Sequence, residues 1–485
     1  MGLVSATEPP RRPPDQRQRV EHDSLGEVEV PQERLWGAQT QRCLLHFRIG
    51  GDRFRWGRTV VRALGIVKKC AAEANGRLGR LTTEQTRLLT AAAQEVIEGR
   101  WDSEFPLAAF QTGSGTQTNM NANEVLANRA NKLAGQPLGS YQPVHPNDHA
   151  NCSQSSNDVF PTVMHLAIAD GVDGLLTPAV MALRRSLDEK AKQYADLVMM
   201  GRTHLQDAAP VMLGQVIGGW SDQLRAAQEQ VARAMASIYE LAIGATAVGT
   251  GLNAPARFAE EVVEEIARET GKPFIPARNK FAAISAHDAV AALSGSLRTL
   301  AGALCKIAND VRWYGSGPRA GIGELRLPAN EPGSSIMPGK VNPTQCEALT
   351  QVAAQVYGND CAVAFAASQG SFQLNTFKPV MLHNVMESIQ LLAEACRSFD
   401  EFCVQGLEAD SPRIREHLDD SLVGATALSP HIGYEKAAMI SLRAYRAGIS
   451  LREAALQSGF VSERQFEEWV RFEDMADASE SDGSK

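Results

Sequence analysis

Residues 279–316 read NKFAAISAHDAVAALSGSLRTLAGALCKIANDVRWYGS. Apolar residues recur in this run at three- and four-residue spacing, which is the period of one helix face. Val159–Ala195, Pro210–Gly244 and Pro343–Ser368 carry the same pattern. Several of these runs exceed the length of an ordinary globular helix, as is expected where helices run the full length of a bundle. Aromatic residues make up only 6% of the 485 residues and alanine is abundant, so helices can approach one another closely. The chain reads as mainly α, organised around long helices whose faces also suit packing against other chains.

Outward from the bundle, the chain is too long for one compact core. Residues 1–20 are rich in Pro, Arg and Gln and read as a disordered tail. Glu8, Asp15 and the pairs Pro9-Pro10 and Pro13-Pro14 spoil the basic amphipathic helix of a transit peptide, and Ala6 breaks a myristoylation motif. Order is expected from Glu21, with Gly26–Pro31 alternating like a short strand. Residues 21–154 then form a mainly helical N-terminal domain, ending in a polar, proline-broken bridge over 141–158. Residues 155–411 hold the long helices, 412–475 a small helical domain after Asp410-Ser411-Pro412, and 476–485 an acidic disordered tail. No internal repeat is visible.

A net charge of −8 excludes a general nucleic-acid binder, which needs a basic face. An anionic ligand must therefore be held by local donors. The eight cysteines, at 43, 70, 152, 305, 346, 361, 396 and 403, show no Cys-x-x-Cys pair and no zinc-type spacing. They read as small buried thiols of a reducing, cytoplasmic compartment. No apolar run reads as long enough to span a membrane.

Four polar clusters interrupt the helical sequence. Residues 333–347, Gly-Ser-Ser-Ile-Met-Pro-Gly-Lys-Val-Asn-Pro-Thr-Gln-Cys-Glu, place backbone donors, two hydroxyls and an ammonium on one glycine-containing loop, a receptacle for a small carboxylate. Pro343 suits the first position of a helix, with Asn342 as its cap. A phosphate loop is excluded, because five residues separate Gly333 from Gly339 and Val341 stands where Ser or Thr is needed. Thr112–Asn119 stacks hydroxyls between glycines, which suits either a solvated loop or an anion pocket. Ser153–Asp158 precedes a long helix; a cap would use Asn157 or Asp158 and leave the serines unexplained. Gly201–Asp207 sets His204 among Arg, Thr, Gln and Asp, where a carboxylate could tune an imidazole. Gly249–Ala254 matches a dinucleotide fingerprint by letters only, since helical sequence precedes it and Pro255 follows at once.

In this order, Thr-Gly-Ser-Gly-Thr, His-Pro-Asn-Asp, Gln-Ser-Ser-Asn-Asp, Gly-Arg-Thr-His-Leu-Gln-Asp and Gly-Ser-Ser-Ile-Met-Pro-Gly-Lys-Val-Asn-Pro resemble the fumarase/aspartase superfamily from about Asp23 to Phe472. The match is to class II fumarases in particular. The resemblance implies a three-domain fold with a long central helical bundle forming a tetrameric core, and active sites shared by three chains. It implies reversible hydration of fumarate to (S)-malate, with no metal and no organic cofactor. Within the superfamily, His204, Gly339 and Gln345-Cys346-Glu347 favour fumarase over aspartate ammonia-lyase, while Gln373 is the aspartase-like residue. A catalytically inactive structural relative, like the lens crystallins of this superfamily, would carry damage in the loop or at His204, and none is visible.

By the same resemblance Ser334 is the base that takes the C3 proton of malate. His204 acts through a water on the opposite face, with Glu347 as its orienting carboxylate. Ser114, Gly115, Thr116, Ser155, Ser156, Asn157, Thr203, Ser335, Lys340, Val341 and Asn342 surround the substrate. A second, outer dicarboxylate site uses the turn His145, Pro146, Asn147 and Asp148. There Gln142, His149 and Cys152 depart from the residues common in the family, which are basic, Asp and Lys respectively.

Overall fold

The computed structural model describes residues 17–476; most of the first tail and all but the first residue of the last lie outside that range. Strand β1 (Gln18–Asp23) pairs antiparallel with β2 (Gly26–Pro31). Pairing starts at Gln18, three residues before the expected onset at Glu21. The reason is Arg19, which is 9% exposed; its guanidinium donates to Glu21 Oε1 (2.8 Å) and to the carbonyls of Pro31 (2.8 Å) and Trp36 (2.7 Å).

Helices α1 (Ala38–His46), α2 (Arg58–Arg77), α3 (Thr83–Ile97) and α4 (Thr116–Leu133) follow. α3 opens on a reciprocal capping box between Thr82 and Gln85. α4 is unusual in burying polar residues: Asn121 donates to Glu104 O, Asn128 to Leu35 O and Asn131 to Val144 O, each at 2.9 Å. These amides satisfy loop carbonyls that have no strand or helix partner. α4 is thereby a spine to which the loops around it are tied.

α5 (Ser156–Gly171) and α6 (Thr177–Gln193) are joined by a π-helical turn, Val172–Leu176. The run expected to be helical from Pro210 starts instead as a hairpin, β3 (Val198–Thr203) with β4 (Gln206–Met212), and α7 spans Leu213–Ile238. After α8 (Phe258–Thr270), the expected Asn279–Ser316 helix is two pieces, α9 (Lys280–Ser285) and α10 (Asp288–Tyr314). Asn279 caps α9 by accepting from Ala282 N (3.0 Å), and Ala286 adopts extended backbone that ends it. In α10, Val290, Leu293, Leu297, Leu300, Leu304, Ile307 and Val311 are all at most 1% exposed. Their alternating spacing of three and four is a coiled-coil-type seam. α11 (Thr344–Ala367) and α12 (Lys378–Phe399) complete the long helices, and α13 to α18 (Ser411–Asp420, Ala425–Ile432, Tyr434–Ala447, Leu451–Ser458, Glu463–Trp469, Phe472–Ala476) form the C-terminal part. Leu428, Ile440, Leu451 and Ala454 share a hydrophobic core there.

The chain divides into two compact units. One comprises 1–174, 232–295 and 358–389; the other comprises 175–231, 296–357 and 390–485. Contrary to expectation, Ser156–Gln193 and Asp288–Tyr314 are long and apolar enough by length and composition to cross a membrane. Of each apolar window 56% is buried in the fold, so that apolarity is used in packing. All eight cysteines are free thiols; Cys361 is exposed and Cys152 and Cys305 are half-buried, so the expectation of uniform burial fails for these three.

Candidate active site

In the first unit, the hydroxyl cluster sits at the N-terminus of α4. Gly115 caps the helix with φ +77, and a Cβ there would lie 2.2 Å from the Phe160 ring. Gly113 is tighter still, since a Cβ would lie 1.4 Å from the Thr376 carbonyl oxygen. Only glycines permit this approach. It leaves Ser114 Oγ 2.8 Å from Thr116 Oγ1, at a helix end whose positive dipole favours an anion, although the Thr118 N–H there is already given to Gln111 Oε1 (2.9 Å).

Ser155, not Asn157 or Asp158, caps α5: its Oγ accepts from Asn157 N (3.2 Å), and Asp158 closes the box by accepting from Ser155 N (3.0 Å). A serine cap leaves the Asn157 amide free to donate to Ala247 O (2.7 Å). Asp158 also accepts from the N–H groups of Gly244 (2.9 Å) and Thr246 (2.8 Å), which ties the 244–246 segment to the serine loop. Burial pushes its carboxyl up to about 6, against the pull of these N–H groups and of Lys68. Thr116, Asn147, Ser155, Ser156 and Asn157 line one cavity of about 710 Å³. The Gly249–Ala254 stretch is irregular chain on the same wall, with no helix before Phe258.

The turn holding Pro146, Asn147 and Asp148 is set by His145, whose Nδ1 accepts from the N–H groups of Asn147 (3.2 Å) and Asp148 (3.3 Å). His149 accepts from His145 N at 2.8 Å, and burial pushes its imidazole below its ordinary range. Where the resemblance led to the expectation of Asp, this chain has a neutral imidazole that clamps the turn. Gln142 is exposed, and the Cys152 thiol lines the cavity.

In the second unit, Thr203 and His204 are at the tip of the β3–β4 hairpin. His204 and Leu205 form its two-residue turn with φ +57 and +60, values that side chains with a Cβ rarely adopt. Such strain persists only where the surroundings enforce it. Here Arg202 donates two hydrogen bonds to buried Glu324, both 2.7 Å, and His417 Nδ1 lies 2.7 Å from the same carboxylate. Arg202 is thus the residue that fixes the hairpin, while His204 projects at its exposed end.

The 333–347 loop is closed on itself. Gly333 N donates to Lys340 O (2.7 Å), and Asn342 Nδ2 donates to Gly333 O (2.8 Å). That bond uses the side chain expected to cap α11; the helix begins at Thr344, and Pro343 O accepts its first bond from Glu347 N (3.1 Å). Ser334 Oγ accepts two backbone N–H groups, from Ile336 (3.2 Å) and Met337 (3.1 Å). Ser335, Lys340, Val341 and Glu347 are exposed. Among the described residues, no hydrogen bond joins His204 to Glu347 or to Ser334.

Sequence reading missed Lys68 and Asn151, and gave no role to Asn119 at the end of the Thr112–Asn119 cluster, although Lys68 and Asn119 both bond to Asn151. Lys68 is 3% exposed on α2 among apolar residues, and burial pushes its ammonium down to about 7 against the attraction of Asp158. Its only signal in the sequence is a lysine on the apolar face of an amphipathic helix. Gln373 lies at the turn of a small hairpin (Gly370–Ser371 with Leu374–Asn375), beside Phe372, which is 94% exposed.

Residues 26–358 match the family model described as lyase, the class to which the superfamily suggested by the motifs belongs. Residues 425–477 match the one described as fumarase C C-terminus. The class II fumarate hydratase of Pseudomonas syringae pv. tomato is 55% identical over 460 residues, covering 95% of this chain and 99% of that one. Among solved structures, class II fumarase from Schistosoma mansoni aligns with a TM-score of 0.92 and 42% identity, covering 95% of this chain and 99% of that chain. A fumarate lyase:delta crystallin from Brucella melitensis, bound to cobalt, aligns with a TM-score of 0.91 and 39% identity, covering 95% and 100%. The chain belongs to the class II fumarase family.

Proposed function

We propose that this chain adds water reversibly across the double bond of fumarate to give (S)-malate, as a cytoplasmic homotetramer whose active sites draw on three chains. In the reverse direction, from malate to fumarate, the C3 proton leaves to a base and the C3 electron pair moves into the neighbouring carboxylate, giving an aci-carboxylate dianion. The C2–O bond then breaks and the departing hydroxide takes a proton on the opposite face. The difficulty is charge on a carboxylate that is already anionic, so donors must be pre-positioned around it.

The observation that carries this reading is the pair of N–H groups converging on Ser334 Oγ. A serine hydroxyl is a weak acid, and an oxyanion at Oγ survives only with such donors, a nearby cation and little water. Lys340 on the same loop supplies the cation. His204 serves as the acid through a water held by Ser114, Thr116 and Asn157, with Glu347 orienting it from α11. Thr203, Ser155, Ser156, Ser335 and Asn342 hold the two substrate carboxylates, and Gly115 and Val341 contribute backbone. The turn from His145 to Asp148 forms the outer dicarboxylate site.

Ammonia elimination is disfavoured, because His204 and Gly339 stand where aspartases differ. Purified protein given fumarate without ammonium is expected to form malate, followed by proton NMR. Aspartate as the sole product, and only when ammonium is supplied, would overturn the assignment.

A further inference from the structure

We propose that Lys68 is a positioning residue for substrate binding, whose buried ammonium sets the direction of a hydrogen-bond chain ending at the Ser156 hydroxyl. Among the described residues its Nζ donates only to neutral groups, Gln154 Oε1 at 2.9 Å and Asn151 Oδ1 at 3.3 Å, with the Asp158 carboxylate attracting it without a hydrogen bond. A cation among Leu64, Val67, Ala71 and Ala72 is costly to bury, so a bland helix face would not carry one there.

An ammonium has three donors and no acceptor, so it requires oxygen from Asn151, and Asn151 Nδ2 is turned the other way, to Gln154 O (3.1 Å). That oxygen also accepts from Asn119 Nδ2 (3.0 Å) and Asn123 Nδ2 (3.1 Å). Both amides are therefore turned with nitrogen towards Asn151, which leaves their own Oδ1 atoms buried without a partner among the described residues. Those two unsatisfied oxygens mark a network whose orientation is imposed from elsewhere. The second hydrogen of Asn119 goes to Ser156 Oγ (2.9 Å). With its oxygen already accepting, Ser156 keeps its proton for the cavity it lines, where a substrate carboxylate needs a donor. Without the Lys68 charge, the Asn119 amide is free to turn over, present its oxygen to Ser156 and consume that proton.

The inference rests on the reading of the cavity as the fumarate site. The test is a double-substitution cycle on the purified enzyme. Lys68→Met is expected to raise KM for fumarate about tenfold while kcat falls less than about threefold, the signature of lost uniform binding. In a Ser156→Ala background the same change should move KM less than about twofold, because the chain no longer has an end to orient. Asn119→Leu, which cuts the chain at another link, should reproduce the KM rise and serves if Lys68→Met does not fold. Effects that multiply independently of Ser156, or a loss of Tm and kcat with KM unchanged, would make Lys68 merely structural. If the unsubstituted protein turns over no fumarate, the functional reading fails first. Calorimetry with succinate then decides the Lys68 role alone: about tenfold weaker binding in Lys68→Met upholds it and equal binding refutes it.

Discussion

The Ser334 hydroxyl receives two main-chain N–H groups from its own loop, an arrangement that stabilises negative charge on Oγ and contributes little to the core. Ser334→Ala should therefore leave the melting temperature close to that of the parent. It should lower kcat by at least ~10³-fold, the scale of losing a proton-transfer group together with its donors. Steady-state hydration of fumarate measures this, and near-parental turnover would move the base elsewhere, with Ser335 the first suspect. The candidate clusters stood out in the sequence because each breaks a helical pattern with side chains a helix does not require. Lys68 was not, since a lysine within an amphipathic helix usually lies on the solvated face, and only packing shows that this one does not.

At the level of elements, helix periodicity made α10 and α11 legible to within a few residues, apart from the break that sets α9 off. The β3–β4 hairpin was hidden because its turn residues, His204 and Leu205, are not the Asn and Gly that announce such turns; the Arg202–Glu324 pair enforces what the local sequence does not favour. A comparable tertiary device starts α1. Its N-cap, Gly37, offers no side chain, and Glu124 from α4 accepts instead from the N–H groups of Gly37 (2.9 Å), Gln39 (2.7 Å) and Thr40 (3.1 Å). Burial nevertheless dominates and pushes the Glu124 carboxyl up to about 7 from 4.5. A carboxyl raised on folding binds its proton more tightly in the folded state, so its contribution is complete below pH 4.5 and is lost as pH rises through 7. Glu124→Gln should lower stability overall and flatten its dependence on pH between these limits. Thermal melts across that range check this; parallel curves for parent and variant would show that Glu124 does not titrate there.

For the whole molecule, a mainly helical architecture followed from composition and periodicity, whereas the division into two discontinuous units did not, because it depends on which distant segments pack together. Features of the single chain point beyond it. His204 ends an exposed hairpin, Ile336 in the serine loop is 84% exposed, and Phe372 is 94% exposed. Large exposed apolar side chains are suited to burial against another surface, and the proposed tetramer assigns them to other copies of the chain. The account therefore holds that one chain does not own a complete active site. Co-expressing Ser334→Ala with His204→Asn tests this most directly, since in mixed tetramers some sites receive an intact Ser334 from one chain and an intact His204 from another. Fumarate hydration above the sum of the two variants prepared separately is the predicted result. Verified mixed oligomers as inactive as either parent would contradict it and place both residues of each site on one chain.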